Sequence, residues 1–198
     1  MAIIVDKVQK RRDIALSCKE LFFQKGINDL TISEVAKAAG VGKGTIYEYF
    51  TNKEEIVFEI VNILIQEHNI EKKSRIDAKE SLKDKIIEFF GIFYRQEDIE
   101  LRQLYKEFIS ISLSNPQKEM IEFHNNCSQT YFKWFEEIIQ EGIDKKEISS
   151  ISKKLSKGLF AIGQGLFVSG AVTDTADDFK QELDDFYDTL FKLMEAKI

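Results

Sequence analysis

Residues 31–52, TISEVAKAAGVGKGTIYEYFTN, decide the fold, because they spell two short helices joined by a glycine turn and the start of a third. Thr31 and Glu34 have capping-box spacing: the threonine hydroxyl can accept from the N–H of residue 34 while the glutamate reaches back to the N–H of Thr31. Leu30 and Val35 sit where a hydrophobic staple fixes a helix entry. The helix should end near Ala39, since Gly40 can take left-handed backbone without a side-chain penalty. Ala36 is small where two crossing helices come closest, and Val35, Val41 and Ile46 supply a shared apolar centre. This is the helix-turn-helix pattern.

The second helix of the pair, about Lys43 to Phe50, turns Ile46 and Phe50 inward and leaves Lys43, Thr45, Tyr47, Glu48 and Tyr49 on the remaining surface. A lysine in a first turn opposes the helix dipole, whereas a phosphate there is welcomed by both the lysine and the open amides. Asn52 and Glu55 have the spacing of a second capping box, with Lys53 in its opening turn, so cation and exposed N–H groups recur on the other side of the reading helix.

From Lys10 to about Val61 the chain resembles the DNA-binding domain of the TetR family of bacterial transcriptional regulators. The resemblance rests on Ile14, Ser17-Cys18, Leu21-Phe22, Lys25-Gly26, Thr31-Ile32, Val35-Ala36, Ala39-Gly40-Val41, Gly44-Thr45-Ile46-Tyr47, Phe50 and Lys53. It implies that Thr31, Lys43, Thr45, Tyr49 and Lys53 mostly meet phosphates while Tyr47 and its neighbours approach base edges. With Ser33, Gly44 and Glu48 these make up the expected DNA face. Two positions depart from the family: Gly42 replaces the usual capping serine, and Glu48 could accept from cytosine N4 or point to solvent.

The net charge of −6 opposes duplex binding until it is divided. Through Lys53 there are nine Lys and Arg against six Asp and Glu; the remainder has nineteen against twenty-eight. Only the N-terminal part is basic, leaving duplex contact to that part. A length of 198 residues, 43% apolar content, a single proline and apolar recurrence at three and four predict an all-α chain. About nine helices are expected, divided as a helix-turn-helix domain over 1–53 and a ligand-binding and dimerisation domain over 54–198, with a helix from Lys53 joining them. Cys18 and Cys127 suit a reduced core role in a cytoplasmic protein, Ile3-Ile4-Val5 is too short for a leader, and Leu159–Val172 falls short of a bilayer span, so no membrane partner is expected.

The remaining helices are read at about Lys7–Gln24 (Val8, Ile14, Cys18, Leu21 and Phe22 inward, ended by Gly26), Lys53–Ile70 or beyond, Leu82–Arg95, Ile99–Leu113, Pro116–Glu141 (capped by Asn115, stopped by Gly142), Ser152–Val172 and Thr175–Lys197. The charge-rich run Glu71–Lys85 is expected to hold a solvated turn and bury little. Aromatic residues crowd the middle helices. The family resemblance implies an effector pocket there, for which Phe89, Phe93, Tyr105, Phe108, His124, Tyr131 and Trp134 are the candidates. The expected effector is a largely apolar or aromatic small molecule, with polar contacts drawn from residues such as His68, Arg95, Gln96, Asn125, Asn126 and Gln164. No metal and no cofactor are expected, since His68 and His124 lack partners at ligand spacing and read as surface or pocket-edge residues.

In the last two helices, Gly158, Ala161, Gly165 and Ser169 make a strip without bulk, and Phe179, Leu183, Phe186, Leu190 and Leu193 recur at helical spacing behind an acidic first turn, Asp177-Asp178. By the resemblance, Gly158, Ala161, Gly165, Ser169, Phe179, Leu183 and Leu190 meet a two-fold mate and present two heads to a palindromic operator. An enzyme is not expected: Gly42-Lys43-Gly44-Thr45 lacks the preceding strand and full spacing of a phosphate-binding loop. The function expected is that of a ligand-responsive, dimeric transcriptional repressor.

Overall fold

The computed structural model describes residues 6–114, 118–173 and 178–194, leaving aside the side chains of 27, 28, 108, 111, 119 and 194. The expected cap at Asn115-Pro116, and Asp177, lie outside the described residues, as does the Phe108 side chain. The described residues are helical, without an extended strand, and fall into two compact units that part between Asn69 and Ile70.

The first unit holds α1 (Lys7–Ser17), α2 (Lys19–Asp29), α3 (Ile32–Ala38), α4 (Lys43–Tyr49) and the larger part of α5 (Lys53–Asp77). One continuous helix was expected over 7–24; it is broken at Cys18, whose N–H bonds back to the Ala15 carbonyl at 3.1 Å. The cause is local. The Ser17 hydroxyl and Cys18 thiol both donate to the Ile14 carbonyl, at 2.6 and 3.2 Å, and so compete with the helical ladder. Gly26, at φ 73°, then interrupts α2 where the sequence placed the end. Ile14, Cys18 and Phe22 are buried as expected, but Val8 is 78% exposed: it lies in the first turn beyond the core, its N–H capped by Asp6.

This unit extends sixteen residues past Lys53 because the early turns of α5 belong to its core. Ile56, Val57, Ile60, Val61 and Ile63 are buried, and Arg11 and Arg12 of α1 pair with Glu59 at 3.0 Å and Glu67 at 2.7 Å. His68, read as a surface or pocket-edge residue, is buried.

The second unit holds the end of α5, α6 (Leu82–Phe89), α7 (Ile99–Ser114), α8 (Lys118–Asp144), α9 (Ser156–Thr173) and α10 (Phe179–Met194), with three short 3₁₀ turns; the described residues of the two units together form ten α-helices. Its centre is α6. Ser81 caps it, accepting from Asp84 N–H at 3.1 Å, and its side chains Leu82, Ile86, Ile87 and Phe89 are buried. Charges at its flanks tie it down: Lys85 to Glu141 at 2.7 Å, Lys83 to Asp188 at 2.7 Å, and the buried Glu88 to Arg75 at 3.0 Å and Arg95 at 2.6 Å. It ends before Arg95 because residues 91–93 tighten into a 3₁₀ turn.

The run 71–85 thus differs from the solvated turn expected of it. Its first seven residues continue α5, only the stretch around 78–81 is a turn, and Lys72 and Lys85 are buried. Gly142 differs too. It lies within α8, buried, and a Cβ there would come 2.4 Å from Leu82 Cδ2, so it serves the approach of α6 and α8 rather than ending a helix. Gly163 plays the same part on α9, where a Cβ would lie 2.4 Å from the Phe90 ring.

In α10 the residues Phe179, Leu183 and Tyr187 share one face and are buried with Phe90 and Phe167. Phe179 and Leu183, expected at a dimer face, are therefore core residues of the protomer; their four-residue spacing fits either role, and the aromatic core claims them. Cys127 is half-buried rather than core. Gly163→Ala forces a methyl against the Phe90 ring, and we expect a loss of about 1–3 kcal/mol in urea unfolding. Gly165→Ala, with nothing within 4 Å of the added carbon inside the protomer, should leave the protomer's own fold unchanged or slightly more stable.

Candidate nucleic-acid interface

The reading helix is positioned from three directions. From α3, Thr31 Oγ1 accepts from Glu34 N–H at 3.3 Å and Glu34 Oε2 accepts from Thr31 N–H at 3.2 Å, the expected capping box. Glu34 also pairs with Lys25; that pair and the Thr31 hydroxyl hold its carboxyl down at about 2, against 4.5 ordinarily. Its contribution to stability is complete above pH 4.5 and is lost as pH falls toward 2. After α3 the chain turns at Gly40 (φ 64°), where Val41 N–H bonds back to the Ala36 carbonyl at 3.0 Å.

From below, Ile46 and Phe50 are buried with Val35, Ala36, Ile14 and Leu30 in the same unit. From the side comes Arg11, which sequence reasoning missed. Its guanidinium donates to the Tyr49 carbonyl at the end of α4, pairs with Glu59 at 3.0 Å, and lies 4.2 Å from the centre of the Phe50 ring. It joins α1, α4 and α5, and its sole signal in the sequence is a basic Lys10-Arg11-Arg12 run.

What remains outward is the expected face. Thr31, Ser33, Lys43, Gly44 and Glu48 are exposed, Tyr47 is 59% exposed, and Thr45, Tyr49 and Lys53 are half-buried along its edges. Gly42 caps α4 with backbone alone, in extended conformation. At the start of α5, Asn52 Oδ1 accepts from Glu55 N–H at 2.8 Å, while Glu55 reaches back to Thr51 N–H at 2.9 Å, one residue before the box the spacing suggested. The arrangement offers lysine, hydroxyl and phenol groups around two helix starts, which suits phosphate contact at the edges and groove contact at the centre.

In the second unit the pocket candidates separate into two ring groups. Phe89 packs against Tyr131, Trp134, Phe135 and Phe160 at 5.4–6.3 Å between centroids. Phe93 stacks on Phe167 at 4.3 Å and lies 5.6 Å from Tyr105. His124 is half-buried on α8.

The first ring group encloses a charge. Lys72 is 3% exposed, and its ammonium lies 4.3, 4.9 and 5.4 Å from the ring centres of Phe89, Tyr131 and Trp134. Desolvation by burial pulls its pKa down to about 7 from 10.5, outweighing the attraction of Asp98 and Glu88. A desolvated cation–π contact is worth about 2 kcal/mol, set against a burial cost of several kcal/mol per ion. Among the described residues, no group of His, Cys, Asp and Glu is arranged to hold a metal ion.

Against known proteins, residues 18–60 match the family described as bacterial regulatory proteins, tetR family. The fatty acid metabolism regulator protein of Bacillus subtilis is 27% identical over 146 residues, 72% of each chain. Among solved structures, a TetR-family transcriptional regulator from Cytophaga hutchinsonii superposes with a TM-score of 0.76 at 17% identity, covering 99% of this chain and all of that one. The regulator FadR from Bacillus subtilis, solved in complex with stearoyl-CoA, gives a TM-score of 0.60 at 20% identity, covering 87% of this chain and 95% of that one.

If Arg11 sets the reading helix, Arg11→Ala should destabilise the first unit by about 1–3 kcal/mol. Amide hydrogen exchange should then accelerate at Ile46–Phe50 while α6 and α9 keep their protection.

Proposed function

We propose that this chain, which belongs to the tetR family of bacterial regulatory proteins and is a DNA-binding transcriptional regulator rather than an enzyme, represses by occupying a palindromic operator as a homodimer and responds to a small-molecule effector. The observation that carries the reading is the face of α4, where Tyr47, Lys43 and Glu48 are outward while Ile46 and Phe50 beneath them are fully buried. Thr31, Ser33, Lys43, Thr45, Tyr49 and Lys53 position the head on phosphates; Tyr47, with Gly44 and Glu48 beside it, meets base edges in the major groove. It works in the cytoplasm, where the operator is.

The two-fold mate is supported by α9. One face, Leu159, Phe160, Gly163, Phe167 and Gly170, is buried within the protomer, whereas Gly158, Ala161, Ile162, Gly165 and Ser169 are exposed. A Cβ at Gly158 or Gly165 would meet nothing within 4 Å. By length and composition alone, residues 150–173 include an 18-residue window apolar enough to cross a membrane, and only a third of that window is buried within the protomer. Close packing against the same helix of a second copy covers this surface, with Leu190 at its margin in place of Phe179 and Leu183.

The effector binds in the second unit among the ring groups around Phe89 and Phe93, with Tyr105, Phe108, His124, Tyr131 and Trp134 as further candidates. A relative named as a fatty acid metabolism regulator and a structural neighbour solved with stearoyl-CoA support a molecule with a long apolar body. Its binding is read out through α5, one helix from Lys53 to Asp77. A difference of about 1–3 kcal/mol in effector affinity between DNA-competent and DNA-incompetent states changes operator affinity roughly five- to 150-fold.

Fluorescence anisotropy on duplex DNA selected from a randomised pool tests the DNA reading. Wild-type affinity should fall steeply with salt, and Tyr47→Ala with Lys53→Ala should abolish selective binding with helicity unchanged. Lys43→Ala alone should flatten the log–log salt slope by about one per protomer. Binding unaffected by all three substitutions would contradict it. For the dimer, Gly165→Arg should give monomers in sedimentation velocity and lose the operator while the fold survives; a dimer that persists would place the interface elsewhere.

A further inference from the structure

Lys72 is an unusual residue to find inside a helical body. An ammonium has three N–H donors, and a buried one is ordinarily matched by carboxylates or carbonyls. Here three ring faces surround it, and among the described residues no acceptor makes a hydrogen bond or ion pair with it. The acids nearest in electrostatic influence are Asp98, at the end of a second 3₁₀ turn (Gln96–Asp98), and Glu88 of α6, and Glu88 is already held by Arg75 and Arg95. Tyr131 on α8 adds its phenol ring to the surroundings, and Arg75, one turn along α5, opposes the charge. The cage is asymmetric in exposure. Phe89 is buried, while Tyr131 and Trp134, stacked at 6.3 Å, are half-buried and form its outer wall.

Aromatic cages commonly capture cationic ligands. This one already holds the protein's own cation, so a cationic ligand would meet like charge, whereas an anion would supply the direct hydrogen-bond acceptor that Asp98 and Glu88, which act on Lys72 through charge alone, do not. The rings fix the rest of the specificity, since a molecule that reaches Lys72 lies against Phe89, Tyr131 and Trp134. We propose that Lys72 is the anion-recognising group of the body's ligand site, and that the ligand it takes is an apolar molecule bearing one carboxylate. This rests on the effector reading above and adds to it the charge of the ligand and the residue that meets it. When the carboxylate arrives, the ammonium becomes the favoured form of Lys72, and binding above neutral pH takes up a proton.

The test uses the full chain and two matched probe pairs, decanoate against decanamide and 2-naphthoate against 2-naphthamide, in isothermal titration calorimetry. At least one carboxylate should bind roughly ten- to 150-fold more tightly than its amide, the range of a charge-assisted hydrogen bond. Titration at pH 8 in two buffers of different ionisation enthalpy should show uptake approaching one proton per site for the carboxylate and none for the amide. Lys72→Met should remove both the preference and the uptake, and Lys72→Arg should keep the preference. The proposal is overturned if neither carboxylate binds, if acid and amide bind equally, or if Lys72→Met leaves the preference intact. Should both variants fail to fold, the acid-against-amide preference of the wild type decides. A carboxylate that binds through Lys72 without changing operator affinity would sink the effector reading alone; operator release that survives Lys72→Met would sink this inference alone.

Discussion

A seven-residue helix has no stability of its own in water, so α4 exists because the first unit holds it. Ile46 and Phe50 lie buried beneath it, the Gly40 turn sets its direction, and Arg11 binds its last carbonyl while covering the Phe50 ring. Every outward side chain of the DNA face inherits its position from these contacts. The capping box at Thr31 fixes the helix before it, and the Asn52 cap fixes the helix after it. A rigid support of this kind lets phosphate contacts set register before base contacts discriminate.

The second unit is organised by close approach of backbone and ring, with the ion pairs of α6 at its flanks. Gly142 and Gly163 allow Leu82 and Phe90 to sit directly against the backbones of α8 and α9, and Phe89, Phe90, Phe93, Phe135, Phe160, Phe167 and Tyr187 fill the centre. Two consequences follow. The glycines at 158 and 165 are left on the outside of α9, with nothing within 4 Å of an added Cβ, the surface on which the proposed dimer rests. And with the aromatic rings concentrated beside α5, Lys72 is carried into them rather than into solvent.

The helix-turn-helix was legible because its information is local: a cap three residues long, a positive-φ glycine and a four-residue apolar step each act within a turn or two of chain. Thr31, Glu34, Gly40, Ile46 and Phe50 could be placed from their neighbours alone. Arg11 could not, since its partners Tyr49 and Glu59 lie 38 and 48 residues away. The same limit hid Lys72. A run as charged as 71–85 reads as solvent-facing, and only the rings of Phe89, Tyr131 and Trp134 reveal that one of its lysines points inward. Phe179 and Leu183 show the complementary difficulty: periodicity identifies an apolar face but does not say whether the protomer or its mate covers it.

The central claim is that α4 enters the major groove with Tyr47 and Lys43 leading. Guanine N7 lies in that groove, so methylation footprinting on a duplex selected by the protein reads the contact directly. The account predicts N7 protection in two half-sites about one helical turn apart, lost in the Tyr47→Ala protein. Protection confined to the minor groove, or a footprint unchanged by that substitution, would contradict it.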